Sequence, residues 1–78
     1  MTSGRRGMRL SPKLYNDLEA AAAAHRRVAL TRRGNEFVVV ARRIITTPRE
    51  ALVGVLPMTG EEMIFPLEEI DTFHVVDR

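Results

Sequence analysis

Three arginine doublets are the residues of this 78-residue sequence best suited to bind a negatively charged partner. They are Arg26-Arg27, Arg32-Arg33 and Arg42-Arg43, and eleven of the twelve basic residues in the chain are arginine. A guanidinium group binds phosphate or carboxylate through two parallel hydrogen bonds, so clustered doublets can form a basic patch that attracts nucleic acid. The sequence also allows a second interpretation, in which the doublets keep the protein soluble and pair with acids of the same chain.

The charges are divided unevenly along the chain. Residues 1–43 hold ten basic residues against three acids, a net charge of +7, whereas residues 44–78 hold two against seven, a net charge of −5. This division predicts a partner with a charged surface. A further interpretation is head-to-tail self-association, in which the basic half of one copy binds the acidic half of the next.

The residue types that catalysis needs are few. The chain has no cysteine, and its two histidines, His25 and His74, are isolated in the sequence. His25 is typical of a helix end and His74 of a solvent-facing strand position. Ser11 is expected to cap a helix, which leaves a Ser-His-Asp arrangement without a suitable nucleophile. We therefore expect no enzyme activity, no metal site and no cofactor.

An N-terminal helix is the first element that the sequence predicts. Ser11 and Pro12 have the residue types of an N-cap and a first helical position. Apolar residues then recur at three- and four-residue spacings, which predicts a helix over residues 12–25. Residues 1–10 are expected to form a flexible basic arm, and residues 11–78 a single domain.

Five short strands are predicted after the helix, from β-branched residues, alternation and turn signals. They are residues 28–31, 36–41 with a continuation through 42–46 past a bulge, 51–56, 62–67 and 72–76. Gly34-Asn35 predicts a tight turn, Gly54 a close backbone contact, and Pro66 a sheet edge or strand end.

A helix followed by five short strands predicts a mainly β fold, namely a small five-stranded Sm-like (SH3-like) barrel capped by the helix. The OB-fold is the alternative five-stranded barrel, but it usually places its helix between strands, so the early helix favours the Sm-like order. The residues expected in the core are Leu18, Leu30, Val39, Val53, Ile64 and Phe73. With no signal peptide and no long apolar stretch in the sequence, we expect a cytoplasmic protein and no contact with a membrane.

A longer pattern of residues runs through the helix and the strands. It consists of Tyr15-Asn16-Asp17-Leu18-Glu19, His25, Val28-Ala29-Leu30, Gly34-Asn35-Glu36, Gly60-Glu61, Leu67, Ile70 and Thr72-Phe73-His74. Over about residues 13–74 this pattern resembles the Rof family of Rho-inhibiting transcription antiterminators. The resemblance implies an N-terminal helix on an Sm-like barrel, in agreement with the elements predicted above.

The resemblance also implies a function. Members of the Rof family bind the transcription terminator Rho at its primary RNA-binding site and prevent RNA loading. The contacts implied here are Asn16, Asp17 and Glu19 of the first helix, with Arg49 in the loop before the third strand as a further contact. The competing hypothesis is an Sm-like RNA- or DNA-binding protein that uses Arg26, Arg27, Arg32, Arg33, Arg42 and Arg43.

Overall fold

The computed structural model describes residues 12–76, in which one α-helix precedes five β-strands. The elements are α1 Pro12–Ala23, β1 Arg27–Arg32, β2 Asn35–Ile45, β3 Ala51–Val55, β4 Glu62–Pro66 and β5 Ile70–Val76. A 3₁₀ turn, Leu67–Glu69, joins β4 to β5. Every predicted element is present, with ends that differ by two residues or fewer. The arm predicted for residues 1–10 and the cap predicted at Ser11 lie outside the described residues.

The five strands form one antiparallel sheet in the order β4-β3-β2-β1-β5. Consecutive strands are neighbours from β1 to β4, and β5 then returns to pair with β1. The prediction of a mainly β fold with one N-terminal helix and five strands is confirmed. Within residues 12–76 the sheet is open, because β4 and β5 are its two edges and only the 3₁₀ turn connects them.

The longest strand, β2, bends at a bulge. Its register with β3 shifts between Ala41 and Arg43, which leaves Arg42 as the extra residue. A bulge bends a strand and increases its twist. The first half of β2 therefore pairs mainly with β1 and the second half with β3. The predicted continuation of this strand past a bulge is confirmed.

The C-terminal end of α1 is capped by the backbone. The N–H of Arg26 donates to the carbonyl of Ala21 at 2.9 Å, and the N–H of His25 donates to the carbonyl of Ala22 at 3.2 Å. These are the two bonds of a Schellman motif, which requires a residue with positive φ. His25 is that residue, with φ of 54°. The helix therefore ends at Ala23, two residues earlier than predicted, because His25 turns the chain toward β1.

We expect His25→Gly to stabilise the protein. The left-handed conformation costs an ordinary residue roughly 1–2 kcal/mol, whereas glycine adopts it freely but loses about 0.5–1 kcal/mol more entropy on folding. The free energy of unfolding in urea should therefore rise by about 0.5–1 kcal/mol. His25→Ala keeps a Cβ atom and is the control, for which we expect no gain. A loss of stability in His25→Gly would contradict this account of the helix end.

The core lies between α1 and one face of the sheet. The helix packs against β2, which buries the alternate residues Val39 and Ala41, as the pleat of a strand requires. In β1 and β3 the buried residues are consecutive, 28–30 and 51–54. The largest fully buried side chains are Phe65, Leu18, Leu30, Leu52, Ile70, Val28, Val39 and Val53.

Ile64 is the one predicted core residue that the structure places at the surface. Its side chain is 53% exposed, because Met63 and Phe65 occupy the core-facing positions of β4. Phe73 is half-buried against the core. The other predicted core residues, Leu18, Leu30, Val39 and Val53, are buried.

The turn between β1 and β2 lies one residue earlier than predicted. Arg33 and Gly34 have φ angles of 51° and 83°, and Asn35 is already the first residue of β2. Two successive residues with positive φ are typical of a two-residue type I′ hairpin turn, whose twist matches that of the flanking strands. Arg33 therefore occupies a position where asparagine or glycine is usual, and this places its side chain at the tip of the hairpin.

Candidate partner-binding surfaces

Four of the six arginines in the doublets lie at one end of the β1–β2 pair. Arg27 is the register partner of Val40, and the N–H of Ala41 donates to the carbonyl of Arg26 at 2.9 Å. The doublet Arg42-Arg43 follows directly at the bulge of β2. We call this group the basic end; its members are Arg26, Arg27, Arg42 and Arg43, and all four are exposed.

The third doublet, Arg32-Arg33, lies at the opposite end of β1. Arg32 is five positions after Arg27, and at about 3.4 Å per residue this corresponds to about 17 Å along the strand. The six arginines of the predicted nucleic-acid patch therefore do not form one surface. The antiparallel hairpin brings the first and third doublets together and places the second at its far end.

Both arginines of the doublet at the hairpin turn pair with one glutamate of the 3₁₀ turn. A carboxylate oxygen of Glu69 lies 2.8 Å from Nη2 of Arg32, and its other oxygen lies 3.3 Å from Nη2 of Arg33. Nε of Arg32 also donates to Glu69 at 2.8 Å, and its guanidinium group lies 5.8 Å from the ring centre of Phe65. The carboxylate of Glu69 is thus held between two arginines, with only 18% of its side chain exposed.

Two more arginines form ion pairs with acids from the second half of the chain. Arg49 pairs with Glu68, the neighbour of Glu69, and Arg43 lies 3.9 Å from Glu62. The prediction that arginines pair with acids of the same chain therefore holds for the doublet at the hairpin turn and for Arg49 in the β2–β3 loop. It holds more weakly for Arg43, whose ion pair is longer. Arg27 and Arg42 form no ion pair with any residue in the described range 12–76.

We expect Glu69→Gln to lower the free energy of unfolding by about 1.5 kcal/mol. The substitution removes a charge-assisted, partly buried interaction and leaves Arg32 without its carboxylate. Glu68→Gln is the matched control, because its ion pair with Arg49 is more than half exposed on both sides and is worth about 0–1 kcal/mol. Urea denaturation of both variants measures the difference. Equal losses would show that Glu69 does not hold the hairpin turn against the 3₁₀ turn.

The helix residues implied by the family resemblance are all exposed. Asn16, Asp17 and Glu19 lie on the surface of α1, while Leu18 between them is fully buried. At about 100° per residue, Asp17 and Glu19 are about 160° apart around the helix axis, and Asn16 lies between them on the solvent side. The three side chains therefore cover the whole exposed arc of α1 and do not form a single acidic spot. Asp17 also forms a surface ion pair with Lys13 at 3.2 Å.

A groove separates the Asp17 side of α1 from the edge strand β5. It encloses roughly 350 Å³. Its walls are mostly apolar, with charged and polar groups among them. The residues that line it are Leu14, Asp17, Ala20, Ala21, Arg26, Phe73, His74 and Val75. We call it the α1–β5 groove.

The sequence does not predict this groove, since it places Asp17 among the partner contacts of the helix, Arg26 in an arginine doublet, Phe73 in the core and His74 at a solvent-facing strand position. No local pattern can reveal it, because the groove exists only where β5 returns to pair with β1 beside the helix. The one local signal is the series of alanines in the second half of α1. Small side chains there leave space between the helix and the strand.

Within residues 12–76 there is no group of three or more His, Cys, Asp or Glu residues that could hold a metal ion. His25 lies in the turn after α1, and His74 is exposed on β5, as predicted for a solvent-facing strand residue. In the same range, no helix is long and apolar enough to cross a lipid bilayer.

Comparison of the chain with protein-family models, with curated proteins and with solved structures finds no match.

Proposed function

We propose that this protein is a cytoplasmic, non-enzymatic regulator of transcription termination, which binds Rho at its RNA-binding site and blocks RNA loading. The proposal is supported by the resemblance to the Rof family over about residues 13–74. It is also consistent with a helix that precedes a five-stranded antiparallel sheet, the arrangement that this resemblance implies.

The single observation that carries the proposal is the exposed polar arc of α1. Asn16, Asp17 and Glu19 take no part in the core, so their side chains are available to a partner. The two carboxylates can take the place of RNA phosphates on the basic surface of an RNA-binding site. The pair between Asp17 and Lys13 is exposed on both sides and opens at little cost.

Arg49 is the further contact in this proposal. Its ion pair with Glu68 joins two side chains that are 61% and 68% exposed. Such a pair contributes about 0–1 kcal/mol to stability. Arg49 can therefore exchange Glu68 for a carboxylate of the partner without disturbing the fold.

We expect Asp17→Asn and Glu19→Gln each to weaken Rho binding about tenfold or more, since each removes a charge-assisted hydrogen bond. The free energy of unfolding should change by less than about 0.5 kcal/mol, because both residues are exposed. Glu61→Gln, at an exposed position between β3 and β4, is the matched control and should bind normally. Equal binding of all three variants would show that α1 is not the contact surface.

A termination assay tests the proposed activity. RNA polymerase transcribes a template with a Rho-dependent terminator in the presence of Rho, and purified protein is added in increasing amounts. The expected result is more full-length transcript, with the Asp17→Asn and Glu19→Gln variants less active than the parent protein. Unchanged termination at saturating concentrations would reject the proposal.

A second candidate function is direct binding of RNA or DNA. The observation that favours it is the basic end, where four arginines come together and two of them, Arg27 and Arg42, form no ion pair within residues 12–76. The doublet Arg32-Arg33 contributes less to this function, because Glu69 pairs with both arginines and offsets half of their charge.

Salt dependence tests this second function. Binding to labelled single-stranded RNA should weaken with added salt, and Arg27→Ala or Arg42→Ala should each reduce the log–log slope by about 0.7. Arg33→Ala is the control and should leave the slope unchanged. The absence of RNA binding at low salt would reject the second function without affecting the first.

A further inference from the structure

Within residues 12–76, the edge strand β5 is hydrogen-bonded on one side only, to β1. In an antiparallel strand, alternate residues direct their N–H and C=O groups to opposite sides. About half of the backbone groups of this seven-residue strand therefore point away from the sheet.

The other edge of the sheet is less suited to such pairing. The strand β4 ends in Pro66, which has no N–H to donate, and begins with the charged residue Glu62. Proline and charge are the usual features that protect an edge strand from pairing. The strand β5 also carries one acid, Asp71, but it contains no proline. An added strand is thus expected at β5 and not at β4.

The α1–β5 groove runs along this free edge. Phe73 and Val75 pack toward the core, whereas His74 between them points to the opposite face of the sheet. All three residues line the groove. The groove therefore contacts β5 at three consecutive residues, so a chain lying in it is placed beside this edge strand.

The walls of the groove indicate what kind of chain fits it. A strand presents every second side chain to one face, so a segment paired with β5 would place alternate side chains against the apolar surface of Leu14, Phe73 and Val75. A small molecule would fill this surface but leave the backbone edge unpaired. The groove carries one carboxylate, Asp17, and one guanidinium group, Arg26, so it offers no excess of positive charge to the phosphates of a nucleic acid.

We propose that the α1–β5 groove binds an extended segment of a partner protein, with apolar residues at alternate positions, which pairs with β5 as a sixth strand. This goes beyond the function proposed above, since it concerns backbone pairing at β5 and does not require that the partner be Rho. Strand addition of this kind derives its affinity from main-chain hydrogen bonds and its specificity from alternate side chains.

The test uses a synthetic eight-residue peptide in which valine alternates with threonine between terminal lysines. It is titrated into the ¹⁵N-labelled protein while amide chemical shifts and hydrogen exchange are recorded. We expect the shifts to be largest in β5 and the facing side of α1, and the outward amides of β5 to become protected from exchange. The same peptide, N-methylated at alternate residues to remove the donors of one edge, should not bind.

A pair of helix variants separates groove binding from other contacts. Ala20 and Ala23 are both exposed on α1, but only Ala20 lines the groove. Ala20→Arg fills the groove and should weaken peptide binding about tenfold or more, since apolar contacts are lost, whereas Ala23→Arg should bind like the parent.

Three results would overturn the proposal. The first is the absence of shifts in β5 at millimolar peptide, and the second is equal binding of the N-methylated peptide. The third is protection of the β5 amides that rises with protein concentration in the absence of peptide. That result would assign the edge to a second copy of this chain. None of these results bears on Rho binding, which is measured separately with the variants of Asp17 and Glu19.

Discussion

Phe65→Ala is expected to lower the free energy of unfolding by about 3–5 kcal/mol. Phe65 is the largest of the fully buried side chains, with no exposed surface. A domain of this size has only a few kcal/mol of net stability. The variant should therefore be largely unfolded near room temperature.

Three kinds of contact contribute to this loss. The ring of Phe65 fills the core between α1 and the sheet, and it packs edge-on against Phe37 with the ring centres 5.3 Å apart. It also lies beneath the guanidinium group of Arg32, which holds Glu69 of the 3₁₀ turn. Truncation thus opens a cavity and removes the support of the pairs that connect the hairpin turn to the 3₁₀ turn.

Urea denaturation of Phe65→Ala and Ile64→Ala measures this effect. The two residues are neighbours on β4, but Ile64 is 53% exposed on the opposite face. We expect Ile64→Ala to cost less than about 1 kcal/mol, since little apolar surface is uncovered. A larger loss for Ile64 than for Phe65 would mean that the faces of β4 are reversed.

Gly54→Ala is expected to lower the free energy of unfolding by about 2–3 kcal/mol. A Cβ atom at Gly54 would lie 2.7 Å from Cγ2 and 3.0 Å from Cβ of Val39. Val39 is fully buried, and its β-branched side chain is restricted at χ1. The strands β2 and β3 would therefore have to separate locally.

A double-mutant cycle with Val39→Ala checks this cause. Removing the two γ-methyl groups of Val39 takes away the clash, so the loss in the double variant should be smaller than the sum of the two single losses. If the two losses are additive, the effect of Gly54→Ala comes from the backbone conformation at residue 54 and not from a clash with Val39.

The order and type of the elements could be predicted because their signals are local. The alanine-rich stripe of α1, the β-branched residues of the strands and the position of Pro66 each depend on a few neighbouring residues. The close contact at Gly54 was predicted as well, but its partner, Val39, belongs to another strand. The identity of such a neighbour depends on strand register, which a single sequence does not reveal.

The strand β4 shows why one core residue, Ile64, was predicted wrongly. Met63, Ile64 and Phe65 are three successive apolar residues, so alternation alone cannot decide which of them face inward. Register with β3 does not decide it either, since Phe65 pairs with Leu52 and Ile64 with Val53, and both partners are buried. The helix decides it, because Phe65 and Leu52 belong to the core cluster that contains Leu18 of α1. The predicted end of α1 was wrong for a different reason. His25 adopts a backbone conformation in which glycine is usual, and no residue type in the sequence signals this.

The candidate site was less predictable than the fold. The sequence identifies the arginine doublets, but only the antiparallel pairing of β1 and β2 shows that two of them meet and that the third lies at the far end. The pairing of Arg32 and Arg33 with Glu69 joins residues that are far apart in sequence. The α1–β5 groove likewise depends on a non-local contact, the return of β5 to β1.

The most direct test of the proposed function is capture of purified Rho by the immobilised protein, with and without competing poly(C) RNA, at moderate salt. We predict that Rho is captured, that poly(C) displaces it, and that an Asp17→Asn/Glu19→Gln variant of unchanged stability captures little. Absence of capture by the folded protein, or capture that poly(C) does not reduce, would contradict binding at the RNA-binding site of Rho.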